Sequence, residues 1–85
     1  MIYDLNPKQK AKQLINMFYD LYPHPKGSDE FYISKQSALI CANEILDLSH
    51  PYTIVYSEKK NEYLNEYTQQ YYWMKVEQHI EEETL

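Results

Sequence analysis

The stretch Ser34-Lys-Gln-Ser-Ala-Leu-Ile-Cys-Ala-Asn-Glu-Ile-Leu-Asp-Leu48 constrains this chain more than any other. On a helical projection at about 100° per residue, Phe31, Ala38, Cys41, Ala42, Ile45 and Leu48 form one stripe. Leu39 and Leu46 widen it, and Ile33 and Ile40 lie nearly opposite. Gln36, Asn43 and Asp47 are left as a narrow polar strip. A helix apolar over most of its circumference needs partners on two sides. The small residues Ser37, Ala38, Cys41 and Ala42 let those partners approach closely.

The partners are expected on either side of it in sequence. Asn6-Pro7 is a helix start, with Asn as the cap and Pro at the first helical position. From there Ala11, Leu14, Ile15, Phe18, Leu21 and Tyr22 share one face, and Gln9, Lys12, Asn16 and Asp20 share the other. This predicts an amphipathic helix over 7–22. Residues 1–5 read as a short tail or an added edge segment. The run Tyr22-Pro-His-Pro-Lys-Gly-Ser-Asp29 holds two prolines and the single glycine, so it breaks the chain before a central helix over 30–48. Ser28 or Asp29 can cap that helix.

Ser49-His50-Pro51 is a second boundary. Tyr52-Thr-Ile-Val-Tyr56 has the β-branched and aromatic character of a short extended segment, yet Tyr56 is in helical phase with the residues C-terminal to it. Lys60, Tyr63, Leu64, Tyr67, Tyr71 and Met74 share one arc, which predicts a long last helix over 53–82. The fold expected is therefore all-α, a single domain over 1–85 built as a three-helix hairpin or bundle. Trp73, Val76 and Ile80 lie roughly opposite the Tyr/Leu/Met arc. If one face of the last helix covers the other helices, this second face is left over and becomes an interface between copies of the chain. The other reading is phase drift that lets both faces reach one core.

Eighty-five residues bury a thin core, and such chains often gain stability by association. One cysteine excludes an intrachain disulfide, and Cys41, inside an apolar run, reads as a buried thiol suited to a reducing cytosol. Thirteen acids against eight bases give a net charge of −5, the wrong sign for wrapping duplex nucleic acid. No signal peptide is read at the N-terminus, and no apolar run approaches the roughly 20 residues of a membrane span. A cytoplasmic protein is expected.

Residues patterned for catalysis or metal binding are scarce. His24, His50 and His79 are far apart, and neither HxxxH nor CxxC spacing occurs. A single glycine cannot build a phosphate loop. Glu62 and Glu66, with Lys59 and Lys60 beside them, read as a solvated face. No enzyme, metal or cofactor is expected. One local feature has chemical sense. His24-Pro25-Lys26-Gly27-Ser28 precedes a helix whose N-terminal N–H groups and dipole favour an anion. Lys26 adds charge, Ser28 a hydroxyl, and Tyr22 and His24 can stack on a base or sugar. The plain alternative is a helix connector whose residues serve turn geometry.

Two resemblances bear on function. The framework Lys10-Ala11-Lys12-Gln13-Leu14 … Phe18-Tyr19, then Lys35-Gln36-Ser37-Ala38-Leu39-Ile40-Cys41-Ala42-Asn43-Glu44-Ile45-Leu46, then Tyr72-Trp73-Met74-Lys75-Val76 … Ile80-Glu81 resembles a small uncharacterised protein family of phages that infect Bacteroidetes-type bacteria. Locally, Tyr22-Pro-His-Pro-Lys-Gly-Ser-Asp … Tyr32 is similar to a segment of the small helical anti-CBASS phage proteins, oligomers that sequester cyclic nucleotide signals. That resemblance implies Lys26 as a phosphate ligand, Ser28 as a hydroxyl donor and Tyr22 as a stacking ring, with Tyr32 in the same segment. Together the two imply a phage anti-defence protein in the cytoplasm of an infected host. It would be a homo-oligomer that binds a cyclic nucleotide or ADP-ribose-type signal without turning it over. The competing expectation is a module that binds a host or phage protein through the Trp73/Val76/Ile80 face.

Overall fold

The computed structural model describes residues 3–21 and 28–84. The order is α1 (Pro7–Tyr19), α2 (Ser28–Asp47), β1 (Ile54–Lys60), β2 (Tyr63–Thr68) and α3 (Gln69–Glu82). The fold is thus mixed α and β, which corrects the all-α expectation. The predicted long helix over 53–82 is a two-stranded antiparallel hairpin followed by a shorter helix.

Local chemistry explains several of these boundaries. Asn6 opens α1 with a capping box: its side chain accepts the Gln9 N–H at 2.8 Å, and the Gln9 side chain accepts the Asn6 N–H at 3.0 Å. Pro7 fills the first turn, where no intrahelical N–H partner is needed. Ser49 ends α2 from outside, its hydroxyl donating to the Ile45 carbonyl at 2.6 Å. At the hairpin, Asn61 takes the left-handed backbone region, with φ of 58°, between the paired Lys60 and Tyr63. Asparagine tolerates that region where most residues do not. The register irregularity between Ile54 and Tyr56 turns Val55 into the core, where it is 4% exposed. Thr68 then caps α3, its hydroxyl accepting the Tyr71 N–H at 3.1 Å. The strand passes into the helix without a loop.

Each helix packs on both of the others. Ala11, Ala38 and Ala42 are fully buried and let the backbones close on Leu14, Ile15, Tyr72, Trp73, Val76 and Ile80. Ile33 and Ile40 face solvent, so α2 is covered along one side rather than surrounded. Among the described elements the hairpin touches only α3, and it makes the molecule elongated, 45 × 29 × 19 Å.

Trp73, Val76 and Ile80 are 5%, 0% and 0% exposed. The expectation that they form a spare interface face is therefore corrected. Its premise was one helix carrying two apolar faces. Tyr56, Tyr63, Leu64 and Tyr67 belong instead to the hairpin. That leaves α3 only 14 residues and one inward stripe, Tyr72-Trp73, Val76 and Ile80.

The tyrosines hold the joint between hairpin and helices. Tyr3 sets its backbone N–H on the Val55 carbonyl at 2.6 Å and its ring edge-on to Tyr72 and Trp73, at 4.7 and 6.2 Å. Tyr56 packs on Tyr67 at 5.3 Å and on Tyr72 at 5.7 Å. The Tyr72 hydroxyl donates to the Leu5 carbonyl at 2.6 Å. Burial, and then the neighbouring Tyr3 and Tyr56, push the Tyr72 phenol well above the ordinary tyrosine range. A phenol whose folded pKa is raised stabilises fully below its unfolded pKa of about 10, and that stabilisation is lost as pH climbs beyond it. The melting temperature is expected to fall steeply above about pH 10. Tyr72→Phe should start from a lower melting temperature at neutral pH yet lose less on the alkaline side. Thermal melts across the alkaline range check both.

Candidate ligand site

Lys12, Asn16 and Tyr19 stand at i, i+4 and i+7 on α1, so they line one face of that helix. The face borders a groove of about 350 Å³ whose floor includes the buried Ile15. Phe31, in the first turns of α2, forms the opposite wall, and Glu83 and Thr84 close the end. The end wall is held in place by Lys35. Its ammonium donates to the Glu81 carbonyl at 2.7 Å and the Glu83 carbonyl at 2.9 Å, occupying acceptors that the end of α3 leaves open. A cation, an amide and two rings therefore converge on one concave surface.

A second groove, about 290 Å³, lies between the hairpin, the start of α1 and α3. It carries Lys8, Lys75 and His79 against Glu58. Two of its charged side chains are engaged. Lys75 reaches the Gln78 side chain at 3.5 Å and sits 5.5 Å over the Tyr71 ring, and His79 lies 3.8 Å from Glu82. Its ring, Tyr67, is packed between Tyr56 and Tyr71. It offers charge without a face for stacking. Among the described residues, no three His, Cys, Asp or Glu side chains come together as a metal site.

Of the residues expected at the ligand site, Tyr22, His24 and Lys26 lie outside the described residues. Ser28 is the first residue of α2. Tyr32 is 62% exposed on α2 and does not line the groove; its neighbour Phe31 does. Adjacent helical positions point about 100° apart, so only one of the two can face α1. Helical periodicity places Lys12 and Asn16 on the polar face of the first helix and goes no further. Their spacing with Tyr19 was the available signal. Phe31 belongs to the α2 stripe that also carries Ala38 and Ala42, but periodicity does not say that this stripe meets Lys12, Asn16 and Tyr19.

No protein-family model, curated protein or solved structure matches this chain. No helix among the described residues is long and apolar enough to cross a membrane.

Proposed function

We propose that this chain is a phage anti-defence protein that binds and sequesters a small nucleotide-type signal, a cyclic nucleotide or an ADP-ribose-type molecule, in the α1–α2 groove, without catalysis. The observation that carries the reading is the convergence of Lys12, Asn16, Tyr19 and Phe31 on one groove. Tyr19 and Phe31 are the stacking rings for a base, an interaction worth about 1–3 kcal/mol per base. Asn16 addresses the base edge, and Glu83 accepts from an amino or ribose hydroxyl group. Lys12 meets the phosphate. A chain of net charge −5 repels an anion unless a local cation reverses the field, so Lys12 is decisive. Tyr19 and Phe31 also flank, in sequence, the segment bearing Tyr22, His24 and Lys26, which adds a second cation to the same stretch of chain. The resemblance to anti-CBASS proteins supports the same ligand class, and the setting would be the cytoplasm of the infected host.

Calorimetry against a panel of cyclic nucleotides and ADP-ribose derivatives tests it. At least one is expected to bind with Kd below about 10 µM and to be recovered unchanged. It should raise the melting temperature by mass action. Lys12→Glu should weaken binding by at least about tenfold, a loss of about 1.4 kcal/mol. Lys75→Glu, in the second groove, should leave it unchanged. A panel without a binder overturns the reading, as does binding that ignores Lys12 and follows Lys75.

A further inference from the structure

The hairpin is a two-stranded sheet with two edges, and the edges are not equivalent. At the base of β1 the outer edge is occupied: Tyr3 gives its N–H to the Val55 carbonyl. The rest of that edge is Ser57-Glu58-Lys59-Lys60. Antiparallel pairing with a second β1 would centre on one of these residues. Centred on Ser57, Lys59 falls opposite Val55, where Tyr3 already lies. Centred on Glu58, Lys59 or Lys60, two like charges face each other, which is destabilising. Lysines and a covered base are the usual means of guarding an edge.

The β2 edge carries no such guard. It borders a groove of about 240 Å³ lined by Leu64, Asn65, Glu66, Tyr67 and Tyr71. Tyr63 and Leu64 are 75% and 62% exposed. Alternation puts Tyr63, Asn65 and Tyr67 on one face, and Leu64, Glu66 and Thr68 on the other. Antiparallel pairing of two β2 strands can again centre on few residues. Centred on Leu64, Glu62 opposes Glu66. Centred on Glu66, the two Glu66 carboxylates oppose each other. Centred on Tyr67, the overlap runs off the strand into α3. Centred on Asn65, Asn65 faces Asn65, Leu64 faces Glu66 and Tyr63 faces Tyr67, with no like charges opposed. In this register the Tyr63 ring of each copy lands beside Tyr67 and Tyr71 of the other, in the groove that borders the strand.

We propose that β2 is a self-association edge: two copies pair antiparallel about a twofold axis at Asn65, giving a four-stranded sheet in the order β1-β2-β2-β1. Pairing turns two strands on one helix into four strands backed by two α3 helices, a sheet of ordinary size. The Tyr63 rings fill the two β2 grooves. Each outer edge of the new sheet is a guarded β1, so assembly stops at two. This contact does not rest on the ligand reading.

Sedimentation velocity at about 100 µM tests it. The wild type is expected to run as a dimer. Asn65 is exposed in the single chain, so Asn65→Lys and Asn65→Asp should each leave the far-ultraviolet circular dichroism unchanged and give monomers. Mixing the two variants should restore the dimer, because lysine then faces aspartate across the axis. Cross-linking reads the same register independently. Asn65→Cys should give a reducible dimer under mild oxidation, while Leu64→Cys should not; the wild type, with Cys41, controls for the native thiol. A monomeric wild type overturns the proposal. So does a dimer that survives Asn65→Lys, or a mixture of the charge variants that stays monomeric.

Discussion

Replacing Trp73 by alanine is expected to unfold the domain, not to split an assembly. The indole is almost wholly buried, and it sits between Tyr72 at 5.6 Å and Tyr3 at 6.2 Å. Its Nε1 donates to the Tyr3 hydroxyl at 3.3 Å. Truncating a buried tryptophan typically removes about 3–5 kcal/mol, the lost transfer energy plus the cavity left behind. At about 0.05–0.15 kcal/mol per residue, a domain of this size has about 4–13 kcal/mol in total, so the loss is a large share of it. With about 4–8 °C lost per kcal/mol in domains this small, the melting temperature should fall by at least about 12 °C. An interface tryptophan behaves differently: its removal lowers the association constant and leaves the melting temperature of the dilute monomer unchanged. A dilute-solution melt followed by circular dichroism separates the two. A Trp73→Ala protein that melts with the wild type would return Trp73 to the surface.

The part of the fold that was legible in the sequence is the part set by local chemistry. Asn6-Pro7 specifies a helix start whatever lies around it, and the prolines at 23 and 25 forbid α1 from running on. The inward positions Ala11, Leu14 and Ile15, and Ala38 and Ala42, follow from a 3.6-residue period that persists across many turns. The hairpin was not legible for a definite reason. Tyr56, Lys60, Tyr63, Leu64 and Tyr67 satisfy a helical arc, while Tyr63, Asn65 and Tyr67 satisfy a strand alternation over the same residues. Short segments fit both periods. The turn between the strands is Asn61-Glu62, without the glycine that usually marks a tight hairpin. Once the hairpin is present, Glu62 and Glu66 cease to be neighbours on a helix, and α3 loses its second face. The β-hairpin and the burial of Trp73, Val76 and Ile80 thus go together. The site was legible only as types and spacing. Lys12, Asn16 and Tyr19 are visible on α1, and Phe31, not Tyr32, falls on the α2 stripe with Ala38 and Ala42; that the two sets meet depends on how α2 is rotated against α1. That rotation is a product of packing at Ala38 and Ala42.

Tyr3→Ala is expected to lower stability by about 2–4 kcal/mol, a large effect for a residue outside the helices and strands. Three interactions tie Tyr3. Its N–H holds the Val55 carbonyl at 2.6 Å, a bond the alanine variant keeps. Its ring is edge-on to Tyr72 and Trp73, two contacts worth about 0.5–1.5 kcal/mol each beyond the area they bury. Its hydroxyl accepts from Trp73 Nε1 at 3.3 Å and from the Gln69 side chain at 3.5 Å. Tyr3→Phe isolates the last of these. It keeps both ring contacts and leaves the buried indole N–H without this acceptor, so a loss of about 1 kcal/mol is expected. The order wild type, Tyr3→Phe, Tyr3→Ala in urea midpoint, with the slope of the transition unchanged, would identify Tyr3 as part of the core. Equal midpoints for all three would make the segment before α1 a tail resting on a core that is complete without it. Because Tyr3 joins β1 to α3, the alanine variant should also free the base of the hairpin. Hydrogen exchange should then rise first at β1, before the three-helix body loosens.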